Sequence, residues 1–287
     1  MKCPIQNKDY MLDLCVRMAH HSTAIEGNTL TQDETASVIL DGYIPRAVKE
    51  REFYEVRNYK NVLPALIERL ENKTKIDNEL IKEFHKLIMQ DLIDNNGSFK
   101  KIENMIVGAN FEPTKPYLVP MELKNVMDNL YYGLDNAKND EDKIYSIVKS
   151  HIDFERIHPF SDGNGRTGRL LIVYSCLEQN LTPIVIPKEQ KERYIACLRE
   201  SNIDKFMNFA QEIQIKEKDR FTKFSSEHFI EFDERDDEKE VEYWSGLSKS
   251  DEDDFKELLK DKKAGKLEFI NTDEMWASID KTIAKYE

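Results

Sequence analysis

A stretch of twelve residues, 158–169, contains side chains of the kinds that bind and react with polyphosphates. It reads His-Pro-Phe-Ser-Asp-Gly-Asn-Gly-Arg-Thr-Gly-Arg. Gly163 and Gly165 allow positive φ angles and leave room for a ligand to approach the backbone. Their N–H groups, with those at the start of a following helix, are suited to form an anion-binding nest. Arg166 and Arg169 are three residues apart, so in a helix both guanidinium groups can reach the same phosphate oxygens.

Two other side chains of this stretch, Asp162 and His158, suit a metal ion and a proton transfer. A carboxylate beside phosphate groups is a common protein ligand of Mg²⁺. The imidazole at the entrance of the stretch has a pKa suited to removing a proton from an attacking hydroxyl. Each residue alone has a simpler explanation, since Gly-Asn-Gly is usually a turn and a single histidine is usually structural. Their combination within twelve residues indicates a catalytic site for a polyphosphate.

The stretch is predicted to be a loop between two helices. Apolar residues precede it at helical spacing, and Pro159 disfavours the helical conformation at His158, so the first helix is expected to end there. A second apolar stripe follows over residues 170–177. The two helices must therefore hold the loop and present its polar groups at one end.

Most of the remaining chain also has apolar residues at three- and four-residue spacing, which predicts helices. Asp77 is the expected N-cap of one of them. The predicted helices cover residues 11–21, 31–40, 51–71, 77–92 and 120–136.

Two segments lack helical periodicity. Residues 94–98 predict a turn, because they are rich in Asp, Asn and Gly. Residues 105–113 predict a short extended piece or hairpin, which Pro113 and Pro116 close. The composition becomes densely acidic after Phe229, so a boundary is expected near residue 230.

The overall composition limits the classes of function. The 287 residues are 40% hydrophobic and 34% charged, with a net charge of −13. Residues 231–287 hold 19 acidic and 10 basic side chains, or −9. Nucleic-acid binding is not expected, because that affinity depends on Lys and Arg. A membrane partner is not expected either, since no apolar run approaches the roughly 20 residues of a membrane span. The N-terminus lacks the apolar stretch of a secretory signal, which predicts a cytoplasmic protein or one delivered without such a signal.

A second candidate site lies near the N-terminus, in Ser-Thr-Ala-Ile-Glu-Gly-Asn at residues 22–28. It is expected to be the C-terminal end of a helix that starts near Met11, with Gly27 just beyond the end. A carboxylate at that end, here Glu26, opposes the helix dipole and therefore calls for a cationic partner elsewhere. The alternative is an exposed acid in a turn.

The 158–169 stretch resembles the signature of the Fic family, His-Pro-Phe-x-Asp/Glu-Gly-Asn-Gly-Arg-x-x-Arg, and every defined position is matched. The resemblance extends over roughly residues 10–215. Upstream it includes residues 97–100 and 107–113, and downstream residues 186–190 and 201–202.

The resemblance implies an all-α fold with one small β-hairpin flap and, in this chain, a short acidic C-terminal appendage. It also implies an ATP-dependent transfer of AMP to a protein. His158 would be the general base for a Tyr, Thr or Ser hydroxyl of the target. Asp162 would hold Mg²⁺, with Mn²⁺ as the other candidate ion, against the phosphates of the co-substrate ATP.

The resemblance also implies roles for the other residues of the signature. Gly163, Asn164 and Gly165 would cradle the phosphates. Arg166 would contact the β-phosphate and Arg169 the γ-phosphate. Asn202 matches a position that contacts the nucleotide. The flap that aligns the target would consist of Ile106, Val107, Gly108, Ala109, Asn110 and Phe111.

In the same family, Ser/Thr-x-x-x-Glu-Gly/Asn ahead of the catalytic core marks an inhibitory helix, and residues 22–27 fit it through Ser22, Glu26 and Gly27. The resemblance implies that Glu26 pairs with Arg169 and takes the space that the γ-phosphate needs. In some family members the same glutamate supports removal of AMP, and this second activity stays open.

Three regions are expected on this basis. Residues 1–95 would be an N-terminal helical region with the inhibitory helix at about 11–27, and residues 96–230 the Fic catalytic core. Residues 231–287 would be an acidic tail of unknown role. The expected partners are ATP and an unidentified protein target, while self-modification and a homo-oligomer stay open.

Two rival functions remain at this point. Fic relatives that phosphorylate or that transfer phosphocholine depart from the Gly-Asn-Gly-Arg-x-x-Arg pattern, which this sequence keeps. A catalytically quiet, antitoxin-like binding module has no need of an intact His158 and Asp162.

Overall fold

A computed structural model describes residues 4–44, 46–105 and 111–225. The chain divides into two compact units, residues 1–226 and 227–287, and the second lies outside the described residues. The predicted acidic appendage therefore also lies outside them. The division into residues 1–95, 96–230 and 231–287 stays a prediction.

Ten α-helices make up the described part of the first unit. They are α1 (Lys8–Ile25), α2 (Gln32–Leu40), α3 (Glu50–Arg57), α4 (Tyr59–Glu71), α5 (Asn78–Ile88), α6 (Val119–Asp135), α7 (Asp140–Ile157), α8 (Asn164–Glu178), α9 (Lys191–Glu200) and α10 (Ile203–Ser225). Short 3₁₀ turns occur at Pro4–Gln6, Pro116–Leu118 and Lys188–Gln190. No helix in this part of the chain is long and apolar enough to cross a membrane.

Helices α1–α8 follow the predicted periodicity, with one division that the pattern did not reveal, while α9 and α10 were not among the predicted segments. Asp77 caps α5 as expected, accepting from the N–H groups of Glu79 and Leu80. The predicted helix 51–71 is two helices, α3 and α4, which meet at Asn58. The buried Asn58 side chain donates to the carbonyls of Ile88 and Gln90, so the chain turns where this side chain is held.

Helix α8 is the centre of the core. Almost every residue from Asn164 to Leu177 is buried, and α8 packs against α1, α4, α5 and α7. A helix that is buried on all sides cannot rotate or slide without opening the core. The N-terminal end of α8, which carries the 158–169 motif, is therefore rigidly placed.

The predicted β-hairpin is wrong. No strand occurs in residues 4–44, 46–105 or 111–225, and residues 103–105 and 112–115 beside the predicted hairpin are irregular. The backbone N–H of Lys100 instead donates to the carbonyl of Pro159 at 2.8 Å. The chain that leads toward the predicted hairpin thus bonds to the α7–α8 loop rather than to a return strand of its own. Within the predicted flap, Ile106, Val107, Gly108, Ala109 and Asn110 lie outside the described residues.

The last flap residue, Phe111, is described. The guanidinium carbon of Arg156 lies 4.1 Å from the centre of the Phe111 ring, within the range of a cation–π contact. Arg156 also donates to the Ser201 hydroxyl at 2.6 Å. Phe111 is therefore attached to the C-terminal half of α7.

A buried polar cluster lies where α7, α8 and α9 meet. His151 is 3.1 Å from the carbonyl of Gly168 through Nδ1 and 2.9 Å from the Tyr194 hydroxyl through Nε2. Because a carbonyl only accepts, Nδ1 carries the proton and Tyr194 donates to Nε2. Glu155 is also buried here, and a Cβ at Gly168 would lie 2.3 Å from its Oε1. Position 168 therefore has no room for a side chain.

A second buried cluster joins α1 to α10. Arg17 donates through its two terminal nitrogens to both carboxylate oxygens of Glu217, at 2.8 and 2.7 Å. The Tyr10 hydroxyl donates to the same carboxylate at 2.7 Å. Asp13 also accepts from Nε of Arg17 at 2.8 Å, so this buried guanidinium pairs with two carboxylates.

We expect Glu217→Ala to lower the free energy of unfolding by about 3 kcal/mol, because the buried Arg17 would lose two of its charged bonds and keep only its bond to Asp13. Urea unfolding of the full chain measures this. The matched control is Glu212→Ala, since Glu212 lies on the same helix and also pairs with an arginine, Arg193, but at the surface. The control should lose far less stability, and equal losses would contradict the prediction.

The cluster around Glu155 predicts a pH dependence of stability. Burial raises the pKa of Glu155 to about 7, with Arg169 opposing and Glu26 adding to the shift. At a pH between the pKa values of the unfolded and folded states, the folded state therefore binds a proton that the unfolded state releases. The free energy of unfolding falls as the pH rises toward 7. We expect Glu155→Gln to be more stable than wild type at pH 8 by up to about 3 kcal/mol and nearly equal at pH 5. Urea unfolding at the two pH values checks this. The exposed Glu50→Gln should show no such difference, and an equal effect of Glu155→Gln at both pH values would contradict the prediction.

Candidate active site

His158 ends α7 in the left-handed conformation, with φ 50° and ψ 63°. Pro159 disfavours a right-handed helical residue before it, so the predicted end of the helix is confirmed. The N–H of His158 still donates to the Phe154 carbonyl at 3.0 Å. A residue with a Cβ costs roughly 1–3 kcal/mol in this conformation, so the surroundings must hold it there.

The loop after His158 rests on a histidine of α5. The His85 ring stacks on the Phe160 ring, with centroids 3.6 Å apart. Nδ1 of His85 accepts from the N–H of Gly97, so its Nε2 carries the proton and donates to the Asp162 carbonyl at 3.0 Å. These contacts fix the backbone of the loop immediately before α8.

Asn164 closes the loop on itself. Its Oδ1 accepts from the N–H of Phe160 at 2.8 Å, and its Nδ2 donates to the carbonyl of the same residue at 2.9 Å. The side chain is buried. The part of Asn164 that a phosphate could use is therefore its backbone N–H rather than its amide group.

Two of the three glycines in the motif, Gly163 and Gly165, differ in their backbone geometry. Gly163 has φ 79°, and a Cβ there would lie 2.5 Å from the Met89 sulfur. Gly165 lies within α8 with helical geometry, so the expected positive φ is not found there. A Cβ at Gly165 would lie 2.6 Å from Oε1 of Glu26. No side chain caps the N-terminus of α8. Its first N–H groups therefore face space that a bound anion can use.

Arg166 belongs to a closed ring of four charges. It is 2% exposed and donates to Glu55 at 3.0 Å and to Asp162 at 3.1 Å. Arg51 donates to the same two carboxylates, at 3.1 Å to Glu55 and 2.6 Å to Asp162. Burial raises the pKa of Asp162, but the two guanidinium groups outweigh it and hold that pKa below its usual range. Asp162 is therefore ionised at neutral pH.

Arg169 contacts the end of α1. It is 5% exposed and donates to the Ser22 hydroxyl at 3.0 Å, to the Ser22 carbonyl at 2.9 Å and to Glu26 at 2.6 Å. Glu26 is the C-cap residue of α1, and Gly27 follows with φ 104°, as predicted. The cationic partner that Glu26 was expected to need is thus Arg169. Burial raises the pKa of Glu26, but Arg169 outweighs this and lowers it.

The described contacts do not bring the Asn202 side chain to this site. The Asn202 side chain accepts from the N–H of Lys205 at 2.9 Å, at the start of α10. None of its described hydrogen bonds reaches residues 158–169.

The sequence patterns did not indicate several residues that contact the motif, among them Arg51, Glu55 and His85. One signal could have found Glu55, because it shares helical spacing with the buried Tyr59 and Val62 and is therefore an acid on an apolar face. Arg51 is half exposed and no local pattern distinguishes it.

The fit to a metal ion rests on Asp162 alone. Within residues 4–44, 46–105 and 111–225, no group of three or more His, Cys, Asp or Glu side chains could hold a metal ion. Mg²⁺ commonly takes one or two carboxylates and completes its shell with phosphate oxygens and water. The Asp162 side chain is 41% exposed and ionised, so it fits such an ion as a single protein ligand beside a nucleotide.

Comparisons with known proteins found a matching family model and relatives of similar sequence. Residues 75–176 match the model of the Fic/DOC family. The chain is 28% identical over 196 residues to Protein adenylyltransferase fic-1 of Caenorhabditis elegans, covering 67% of this chain and 37% of that protein. It is 27% identical over 194 residues to Protein adenylyltransferase Fic of Drosophila grimshawi, covering 66% of this chain and 39% of that protein. The chain thus spans less than two fifths of the length of these relatives.

Solved structures share the helical fold. A Fic domain containing signaling protein from Bacteroides thetaiotaomicron matches with a TM-score of 0.65 at 21% identity, covering 72% of this chain and 85% of that one. A fragment of C. elegans Fic-1 matches with a TM-score of 0.62 at 25% identity, covering 76% of this chain and 65% of that one. Residues 75–176 thus match the Fic/DOC family model and contain the complete motif, and the chain shares the helical fold of these solved Fic proteins.

Proposed function

We propose that this protein transfers AMP from ATP to a hydroxyl of a target protein. The observation that carries the proposal is the α7–α8 loop, where an imidazole, a carboxylate, an uncapped helix N-terminus and two buried arginines meet within residues 158–169. The names of the curated relatives, protein adenylyltransferases, support the same reaction. ATP and a protein target are the partners that it requires.

His158 is the proposed general base. Burial, and then the positive charge of Lys100, lower its pKa to about 4. The imidazole is therefore unprotonated at neutral pH and free to accept a proton. In the proposed step a Tyr, Thr or Ser oxygen of the target bonds to the α-phosphorus, and its proton passes to His158. The bond from that phosphorus to the bridging oxygen breaks, and pyrophosphate leaves.

The N-terminus of α8 is the proposed phosphate site. Its free N–H groups and the helix dipole favour an anion there. Arg166 and Arg169 would contact the β- and γ-phosphates, and both are buried and charged. Asp162 would hold Mg²⁺, or Mn²⁺ in its place, which offsets the negative charge of the phosphates when bound.

Glu26 is the proposed brake. Its carboxylate lies over Gly165 and on Arg169, on the first turn of α8. A γ-phosphate at Arg169 would compete with this carboxylate for the same cation. ATP can then bind only in a position that leaves the α-phosphorus misaligned for attack. Ser22 and Gly27 would shape the helix end that holds Glu26 there.

The cytoplasmic location stays a prediction. Whether the protein modifies itself or forms a homo-oligomer stays open. Removal of AMP at the same site also stays an alternative. It would be tested by incubating labelled target with unlabelled ATP in a buffer without pyrophosphate. Loss of label from the target would reveal this activity.

The reaction is tested with ATP labelled at the α-phosphate, Mg²⁺, a cell lysate and the full chain carrying Glu26→Gly. We expect label on protein. Adding His158→Ala should lower the rate by about 10²- to 10⁴-fold, because a positioned base contributes that much. His21→Ala is the matched control, since His21 lies outside the motif. Transfer of a γ-label without any α-label would mean phosphorylation and would contradict the proposal.

The brake is tested by comparing wild type with Glu26→Gly and Glu26→Gln at saturating ATP. Both changes remove the carboxylate charge from Arg169, so we expect transfer to rise by about tenfold or more, which corresponds to about 1.4 kcal/mol. Glu34→Gln, in α2 and away from the motif, should not change the rate. The brake hypothesis fails if wild type and both Glu26 variants transfer AMP at the same rate.

A further inference from the structure

Residues 100–104 lie directly against the loop that carries His158. The buried Lys100 makes two contacts there. Its backbone N–H donates to the Pro159 carbonyl at 2.8 Å, and its Nζ donates to the Ile157 carbonyl at 3.3 Å. Lys100 therefore bonds to the residue before His158 and to the residue after it.

Asn104 bonds to the next carbonyl of the loop, that of Phe160. Its Nδ2 donates to the Phe160 carbonyl at 2.9 Å, and its Oδ1 accepts from Nζ of Lys100 at 2.7 Å. Lys100 and Asn104 are thus bonded to each other and to three carbonyls around His158. We call residues 100–104 the strap.

The strap satisfies two physical needs of the loop. The last carbonyls of α7 have no partner within the helix, and a cation near a helix C-terminus is favourable. The left-handed backbone of His158 is also costly, so the peptide groups on both sides of it must be held. Lys100 meets both needs, since its charge lies at the end of α7 and its two donors hold those peptide groups.

We propose that Lys100 is a positioning residue for His158, fixing the peptide groups on either side of it so that the imidazole points at the reacting hydroxyl. This inference rests on the proposed role of His158 as a base. It assigns a role to the strap, which the proposed reaction does not otherwise use.

The charges around His158 agree with this role. Burial, and then Lys100, lower the pKa of His158, while the Glu155 carbonyl, Glu26 and Asp162 raise it. Burial lowers the pKa of Lys100 itself to about 8, with Glu103 opposing. At neutral pH Lys100 is therefore mostly protonated and adds to the effect of burial on the neighbouring imidazole.

The test compares Lys100→Met, Lys100→Arg and the matched control Lys101→Met, whose side chain is exposed on the same segment. The first readout is the NMR titration of the His158 imidazole in the full chain, which needs no enzymatic activity. Lys100→Met should raise the His158 pKa by roughly half a unit or more, because a nearby positive charge is lost. Lys100→Arg should keep most of the wild-type value, and Lys101→Met all of it.

The second readout is the pH profile of AMP transfer, measured in the Glu26→Gly background. Lys100→Met should lower kcat by about tenfold, leave KM for ATP unchanged and shift the acid limb of the profile upward, while Lys100→Arg restores most of kcat. If Lys100→Met does not fold, Asn104→Ala tests the same strap and should lower kcat in the same way.

The outcomes separate this inference from the proposed function. A shifted His158 titration with no AMP transfer by any variant would support the strap and refute the reaction. A folded Lys100→Met with the wild-type titration and pH profile would overturn the positioning role. A Lys101→Met that matches Lys100→Met would overturn it as well.

Discussion

Two arginines are buried at the start of α8, and their charges must be matched by anions. Arg166 is 2% exposed and Arg169 is 5% exposed. A buried guanidinium without a partner would destabilise the fold by several kcal/mol. Helix α3 supplies Glu55 to the first arginine, and the end of α1 supplies Glu26 to the second. The positions of α1 and α3 against α8 therefore satisfy the same charges that a triphosphate would.

Three carboxylates pair with these arginines, namely Glu55, Asp162 and Glu26, and they differ in their exposure to solvent. Glu55 is buried and holds Arg166 and Arg51 together. The side chains of Asp162 and Glu26 are about 40% exposed, at 41% and 39%. Solvent therefore reaches these two carboxylates, although Arg166 and Arg169, with which they pair, are buried. In the proposed reaction, they are the groups that must accept a metal ion and yield to a phosphate.

The loop before α8 combines an unfavourable backbone with many supporting contacts. His158 adopts a left-handed conformation, and the following residues are held by the His85 ring, by the Asn164 amide and by the strap of residues 100–104. Each contact comes from a different part of the chain. The loop is therefore rigid because independent elements converge on it, and not because its own sequence prefers one conformation.

The amino-acid sequence by itself determined most of the helices and the make-up of the site. Apolar spacing located the helices, because burial of one face depends only on residues three and four apart. Pro159 ended α7 and the motif supplied the polar groups, because both effects are local. The misplaced charge of Glu26 also predicted a distant cation, since its conflict with the helix dipole is visible in the sequence alone.

Only the tertiary structure decided which distant groups meet. Arg169 pairs with a residue 143 positions away, and Arg166 with one 111 positions away. Nothing in a local pattern encodes such a pairing, because it depends on how α1 and α3 pack on α8. The same reason explains the wrong hairpin. A strand needs a partner strand, which a local pattern cannot specify, and the described residues contain no strand. Periodicity records which face of an element is buried, while the partners of its polar groups are set by packing.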